Sequence, residues 1–240
     1  MLHDERRALV VDPGDPQPVL EALQHLGVKL EAILVTHHHL DHTGGVDALR
    51  ASTGASVWGP LNEKMPEPLT RLKDGDQLMA LDLVFKVIDV PGHTAGHIAY
   101  FCENAKGTPL LFCGDTLFSA GCGRLFEGTP SQMLASLDRL SSLPETTRVC
   151  CTHEYTLSNL KFALAVDPHN EALKRYMERA QALRDNGQPT LPSSLALERQ
   201  INPFLRTRQP ALIQAARSFD AKAHDDVSTF AALRQWKNQF

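Results

Sequence analysis

The sequence predicts an α/β chain with a helical C-terminal part. Three observations carry that expectation. Short apolar runs closed by Gly, Pro or a polar group recur through the first 155 residues, with helical periods between some of them. After Tyr155 the strand signals stop and only helical periods remain. Of the 240 residues, 42% are hydrophobic and 22% charged, a balance that supports a buried core.

The elements follow in order. Ala8 to Asp12 is an apolar run closed by Pro13-Gly14, a buried strand. Pro16 to Leu26 carries Val19, Leu20, Leu23 and Leu26 at helical spacing and stops at Gly27. Ala32 to Thr36 is a second strand, and a helix with Val46 and Leu49 starts at Thr43. Ala55 to Trp58 is a strand, and Asp76 to Val90 holds two more. Ile98 to Cys102 and Leu110 to Cys113 are strands, Pro130 to Leu140 a helix, and Val149 to Thr152 a strand. Leu157 to Val166, Asn170 to Asn186, Pro210 to Phe219 and Val227 to Asn238 read as helices, with a turn and helix start at 188–194. A boundary near residue 155 therefore divides the chain into 1–155 and 156–240.

Composition excludes several classes. A net charge of −4 does not supply the clustered positive surface of a general nucleic-acid binder. No apolar run approaches the roughly 20 residues of a membrane helix. The start, Met-Leu-His-Asp-Glu-Arg-Arg, lacks the apolar stretch of a signal peptide. Five cysteines without CxxC spacing argue against a disulfide framework or a thiolate zinc site. Cys122 stands apart from the other four because it lies between two glycines. Together these features predict a cytoplasmic protein with no membrane or nucleic-acid partner. Charge is uneven: residues 201–240 hold six Lys+Arg and three Asp, a basic segment on an acidic chain.

Chemistry concentrates in histidine. His37, His39, Asp41 and His42 are four potential metal ligands in six residues, directly after a predicted strand. In extended backbone, residues i, i+2 and i+4 point the same way, so His37, His39 and Asp41 converge and His42 turns in as a helix begins. His38 points away, towards packing or support. Three other strand ends carry matching groups: His93 after Val90-Pro91-Gly92, Asp115 after Cys113-Gly114, and His153 after Thr152. Any one alone would more often be a loop histidine or a turn cap. Four such strand ends in one chain favour a metal site of nitrogen and oxygen ligands, suited to zinc, iron or manganese.

The strings HxHxDH at 37–42, GHTxGH at 92–97, GDTLF at 114–118 and His153-Glu-Tyr-Thr resemble the metallo-β-lactamase superfamily. Longer strings narrow this: THHHLDHTGG, GDTLFSAGCGRLFEG, HEYTLSNLKFA, Asn202-Pro-Phe-Leu-Arg and Arg234-Gln-Trp-Lys237 resemble hydroxyacylglutathione hydrolase, or glyoxalase II, over essentially the whole chain. The resemblance implies a four-layer αβ/βα sandwich over 1–155 and a helical glutathione-binding part over 156–240. It implies two divalent ions, zinc first, with iron or manganese acceptable. His37, His39 and His93 would hold one; Asp41, His42 and His153 the other; Asp115 would bridge. Seven ligands exceed one four-coordinate ion. A hydroxide shared by the ions would attack a thioester carbonyl, with Asp41 and Asp115 as the catalytic carboxylates. The substrate implied is an S-2-hydroxyacylglutathione, chiefly S-D-lactoylglutathione, released as glutathione and D-lactate in methylglyoxal degradation. A thiolate leaves without protonation, so no further acid is required.

Glutathione carries two carboxylates, and the resemblance points to Arg124, Tyr155, Arg234 and Lys237 as its contacts. Arg234 and Lys237 are i, i+3 on a predicted helix and share one face. Position 124 is Arg where relatives often have Lys, and 126 is Phe where many have Tyr. The chain starts inside what would be the family's first hairpin, so a first N-terminal strand is expected to be lacking, with a late start as the favoured cause. A persulfide dioxygenase with one iron is the alternative activity; the full second ligand set and the long helical region weigh against it. A monomer is expected.

Overall fold

The computed structural model describes residues 1–240. They form two compact units: Met1–Asp89 with Thr94–Gly114, and Val90–His93 with Asp115–Phe240.

The first unit opens with β1 (Leu2–His3), β2 (Arg7–Val11), α1 (Pro16–Leu26), β3 (Lys29–Leu34), α2 (Leu40–Thr43), α3 (Val46–Thr53), β4 (Ser56–Pro60) and β5 (Thr70–Leu72). Its five strands form a sheet in the order β1-β2-β3-β4-β5. Only β1 runs antiparallel to its neighbour, and the remaining pairs are parallel. Helix α1 starts at Asp15, whose carboxylate accepts from the Gln17 N–H, and stops at Gly27 in left-handed conformation (φ 66°). Leu23 of α1 and Val46 and Leu49 of α3 pack with Val10, Leu30, Ile33 and Val57 of the sheet in one apolar cluster. The unit ends with the antiparallel run β6 (Gln77–Ala80), β7 (Leu83–Asp89), β8 (Ile98–Ala105) and β9 (Thr108–Phe112), in the order β9-β8-β7-β6. Tyr100 of β8 is fully buried and its hydroxyl donates to the Val35 carbonyl at 2.8 Å, which ties this run to the ends of β3 and β4.

The second unit holds β10 (Leu117–Phe118), β11 (Gly121–Cys122), α4 (Pro130–Ser141), β12 (Arg148–Val149), α5 (Thr156–Val166), α6 (Glu171–Asp185), β13 (Ser193–Ser194), α7 (Leu195–Ile201), α8 (Pro210–Phe219) and α9 (Asp226–Gln239). A capping box of Thr129 and Gln132 starts α4, and a second one of Asp225 and Ser228 starts α9. Arg208 joins these helices, giving two 2.7 Å bonds to Asp138 and one of 2.7 Å to Asp226. Leu160, Ala163, Leu173, Tyr176, Ala180 and Ile201 bury a core between α5, α6 and α7.

Several expectations shift in detail. The strand expected over Ala32 to Thr36 starts earlier and ends at Leu34, and the one expected over Val149 to Thr152 is Arg148–Val149. The short β1, β5, β10, β11 and β13 lacked a periodic signal, because two or three residues are too few to show one, whereas α7 begins at Leu195, directly after the turn and helix start expected at 188–194. The segment 115–152 groups with the C-terminal helices, which supply the side chains that bond it.

Candidate metal centre

In the first unit, β3 delivers Thr36 and His37 to the end of the parallel sheet. His37 is fully buried, and its Nε2 lies 3.1 Å from Nδ1 of His39. The alternation expected here is real but short. Extended backbone ends at His39 (φ −60°, ψ 147°), and Leu40–Thr43 is already helical. Asp41 therefore does not project as the third residue of a strand, which corrects the extended reading. Instead it neighbours His42 on the helical turn, with Asp41 Oδ2 3.6 Å from His42 Nε2. Gly14 makes this turn possible: a side chain there would put its Cβ 2.1 Å from the Asp41 carbonyl.

Two carboxylates hold this histidine segment, and the sequence had not singled out either. Asp12 sits at φ 51°, a left-handed conformation unusual for aspartate. Its Oδ1 accepts the Thr36 N–H and its Oδ2 the Thr36 hydroxyl, both at 2.8 Å, and Oδ2 is 3.2 Å from His42 Nδ1. The Thr36 Oγ1 is in turn 3.0 Å from His37 Nδ1. Since that hydroxyl donates to Asp12, it accepts from His37, so the Nε2 lone pair of His37 stays available. Glu63 is the second carboxylate. It accepts the backbone N–H groups of His38 (2.8 Å) and Gly96 (2.9 Å), the hydroxyl of Thr94, and a short contact from His38 Nδ1. His38 thus serves support, as its outward position implied. A carboxylate followed by Pro-Gly was the available signal for Asp12; nothing local marks Glu63.

In the second unit, His93, Asp115 and His153 come together. Asp115 Oδ2 is 3.5 Å from His93 Nε2, and Oδ1 is 3.5 Å from His153 Nε2. His93 Nδ1 lies 2.9 Å from the Arg124 carbonyl, so it carries the proton and frees Nε2. Thr152 donates its hydroxyl to Asp115 Oδ1 at 2.5 Å. Gly123 is required beside this group, because a Cβ there would lie 1.9 Å from the Asp115 carbonyl. The Tyr155 ring stacks on His153 at 4.9 Å and is half-exposed. Cys151 nearby is pushed up to about 12, chiefly by burial, so its thiol stays protonated at neutral pH and adds no thiolate ligand.

The donor set fits a divalent ion. Two ligands about 2.0–2.2 Å from one tetrahedral ion lie roughly 3.3–3.6 Å apart. The histidine–aspartate separations above fall in that interval or at its edge, and the His37–His39 pair is slightly closer. All the atoms are imidazole nitrogen or carboxylate oxygen.

The predicted glutathione contacts are all in the second unit. Arg124 is exposed. Arg234 is 5% exposed and gives Nη1 to the Cys122 carbonyl at 2.7 Å, with its guanidinium 5.0 Å from the Phe204 ring centre. It is therefore less available than a surface helix position implied, although its buried Nε makes no hydrogen bond within the chain. Lys237 bonds the Ser158 carbonyl at 3.2 Å. Burial, then the charges of Arg234 and Arg124, push its ammonium below the ordinary lysine value. Cys122 is a buried strand thiol rather than an open loop group.

Known proteins of similar sequence and fold identify the family. Residues 1–153 match the metallo-β-lactamase superfamily, and residues 154–240 match the hydroxyacylglutathione hydrolase C-terminus. A hydroxyacylglutathione hydrolase of Albidiferax ferrireducens is 73% identical, over 100% of this chain and 94% of the relative. One of Pseudomonas entomophila is 56% identical, over 98% of this chain and 91% of the relative. The crystal structure of TTHA1623 in a di-iron-bound form is 30% identical with a TM-score of 0.58, covering 82% of this chain and 88% of that one. The chain belongs to the metallo-β-lactamase superfamily and has its mixed α/β fold, which implies binding of divalent metal. Within that superfamily it belongs to the hydroxyacylglutathione hydrolase family, the glyoxalase II thioester hydrolases.

Proposed function

We propose that the chain binds two divalent ions and hydrolyses S-2-hydroxyacylglutathione, chiefly S-D-lactoylglutathione, to glutathione and D-lactate. His37, His39 and His93 hold one ion, Asp41, His42 and His153 the other, and Asp115 is shared. The observation that carries this reading is Asp115, whose two oxygens each face the Nε2 of a different histidine at 3.5 Å. A carboxylate serving one ion would not need both sides occupied. The di-iron form of a structural relative supports a pair of ions. Zinc is the proposed metal, with iron and manganese accepted by the same ligands.

Bound there, such ions supply Lewis acidity and acidify water. The remaining work falls to the chain. Asp12 and Thr36 fix the tautomer of His37, the Asp12 carboxylate lies 3.2 Å from His42 Nδ1, and the Arg124 carbonyl fixes the tautomer of His93, so lone pairs are aimed before substrate arrives. Arg124, Arg234 and Lys237 form one cationic field, in which burial first and then the two guanidinium charges lower Lys237, and it suits the two carboxylates of glutathione. Tyr155 offers an exposed ring edge beside His153 for the substrate. A glutathione thiolate leaves unprotonated, so no general acid is needed.

No helix is long and apolar enough to cross a membrane. We place the reaction in the cytoplasm, in methylglyoxal degradation, by a monomer acting on a small thioester without nucleic-acid or membrane partners. Purified protein incubated with S-D-lactoylglutathione should release glutathione thiol. Absence of thiol release from metal-loaded protein overturns the proposal.

A further inference from the structure

Between Asp115 and Arg124 the chain makes a hairpin, β10 to β11, with Ser119 and Ala120 as its two turn residues. The turn is not self-supporting. Ala120 sits at φ 55°, a left-handed conformation that favours glycine. Polar groups along it are taken up by side chains far along the chain. Asn202 Nδ2 donates to the carbonyls of Phe118 (3.0 Å) and Gly121 (2.9 Å). Asn159 donates to the Ser119 carbonyl at 3.1 Å. At the centre is Glu198 of α7, fully buried, which accepts the Ser119 hydroxyl at 2.9 Å, the Ala120 N–H at 2.8 Å and Asn202 Nδ2 at 3.1 Å. Burial pushes this carboxyl above its ordinary value, while the Ala120 N–H and the side-chain donors act against that. A buried carboxyl with no cationic partner among these contacts is costly to desolvate, and its hydrogen bonds offset part of that cost. The Ser119, Ala120 and Asn202 bonds end on one turn, or on the asparagine that holds that same turn, and Ser193 is a further side-chain donor beside the carboxyl.

We propose that Glu198 is a positioning residue for the metal centre: through Ser119, Ala120 and Asn202 it fixes the hairpin whose two ends present Asp115 and Arg124. The path is short. Gly123, at the hairpin's exit, donates to the Thr116 carbonyl at 3.2 Å and packs on Asp115, and the next residue, Arg124, supplies the carbonyl that orients His93. The helical region thus sets ligand geometry in addition to offering cations to substrate. This rests on the reading of Asp115 as a metal ligand.

The test is loss of metal from the holoenzyme to a chelator, read with kcat and KM. Glu198→Leu removes both acceptor oxygens and leaves the Ala120 N–H and Asn202 Nδ2 without their acceptor. It is expected to speed metal loss about 10–100-fold, the range for supporting groups of metal ligands, and to lower kcat/KM similarly. Glu198→Gln is the conservative variant: its amide oxygen still accepts from Ala120 and Asn202 while its NH2 donates to the Ser119 oxygen, so metal loss is expected to stay near wild type. Asp167→Asn is the control. Asp167 is buried, pairs with Arg206 and Asn170, and has no bond to the hairpin, so this variant lowers Tm and leaves metal loss unchanged. Adding Ala120→Gly to Glu198→Leu relieves the left-handed turn and is expected to slow metal loss again. If Glu198→Leu does not accumulate as folded protein, Ser119→Ala removes one of its hydrogen bonds and is expected to speed metal loss measurably. Glu198→Leu or Ser119→Ala behaving like Asp167→Asn, with lower Tm and wild-type metal loss, overturns the inference. If Asp115→Asn also retains its metal, the ligand reading falls with it. If Asp115→Asn loses metal while Glu198→Leu does not, only the inference falls.

Discussion

The two segments that carry proposed ligands, 37–42 and 115–124, are supported in opposite ways. The first is held from nearby: Asp12 and Thr36 at the ends of adjacent parallel strands, and a helical turn that starts within the motif. The second is held from a distance: Asn159 of α5, Glu198 and Asn202 of α7 and its C-cap, and Arg234 of α9 reach it from three places in the helical region, as far as 112 residues away. A motif-borne site can therefore be compact in sequence on one side and depend on the whole fold on the other. On the proposed reading the helical region supports the metal centre, although its own residues supply none of the proposed ligands.

The largest effect expected from breaking this picture is at Asp115, the group the remote scaffold presents. Asp115→Ala should lower kcat/KM by more than about 100-fold, above the usual range for a merely supporting group, together with metal content per chain. Metal analysis by mass spectrometry checks it. Next is the local support. Asp12→Ala removes the carboxylate shared by Thr36 and His42, and should weaken metal affinity about 10–100-fold while retaining the sheet, read by competition with a chromophoric chelator. Unchanged affinity would show that the near side holds itself without Asp12. Smaller still is Arg234→Met, which leaves the Cys122 carbonyl without its buried donor. A hydrogen bond to a charged group is worth about 1.5–3 kcal/mol, so urea unfolding should show a loss of that order. A loss near zero would remove Arg234 from the remote scaffold and leave it as a substrate contact alone.

The pH effect is the smallest. Lys237 is shifted down, so it loses its charge at lower pH than an unfolded lysine does. Between its folded value and the ordinary one, the unfolded chain binds more protons, and stability contributed by this group rises with pH. Substrate attraction moves the other way: KM for the anionic thioester should rise as pH climbs through the folded value. Lys237→Arg should keep KM flat over the same interval, because guanidinium stays charged. A wild-type profile as flat as that of Lys237→Arg removes Lys237 from substrate binding.

How much was legible follows the same division. The strand, turn and helix around His37–His42 could be read from an apolar run meeting a dense ligand string, because everything that shapes it lies within a few residues or on a neighbouring strand. Even there, the extended reading ran two residues too far and misplaced Asp41, since helical conformation begins at Leu40 without a capping signal. Asp115 was legible as a ligand type after a strand. Its support was not: Glu198 sits in a seven-residue helix whose sequence looks like ordinary amphipathic surface, and only tertiary structure brings its carboxylate under Ala120. Arg234 shows the same limit. Spacing put it on a shared face with Lys237, but spacing does not reveal that the guanidinium turns inward to Cys122 and Phe204.

The most direct measurement pairs metal count with turnover on one purified sample. Two divalent ions per chain, with hydrolysis of S-D-lactoylglutathione that disappears on chelation and returns with metal, is the predicted result. A single ion per chain with full turnover, or two ions with no thioester hydrolysis, contradicts the account.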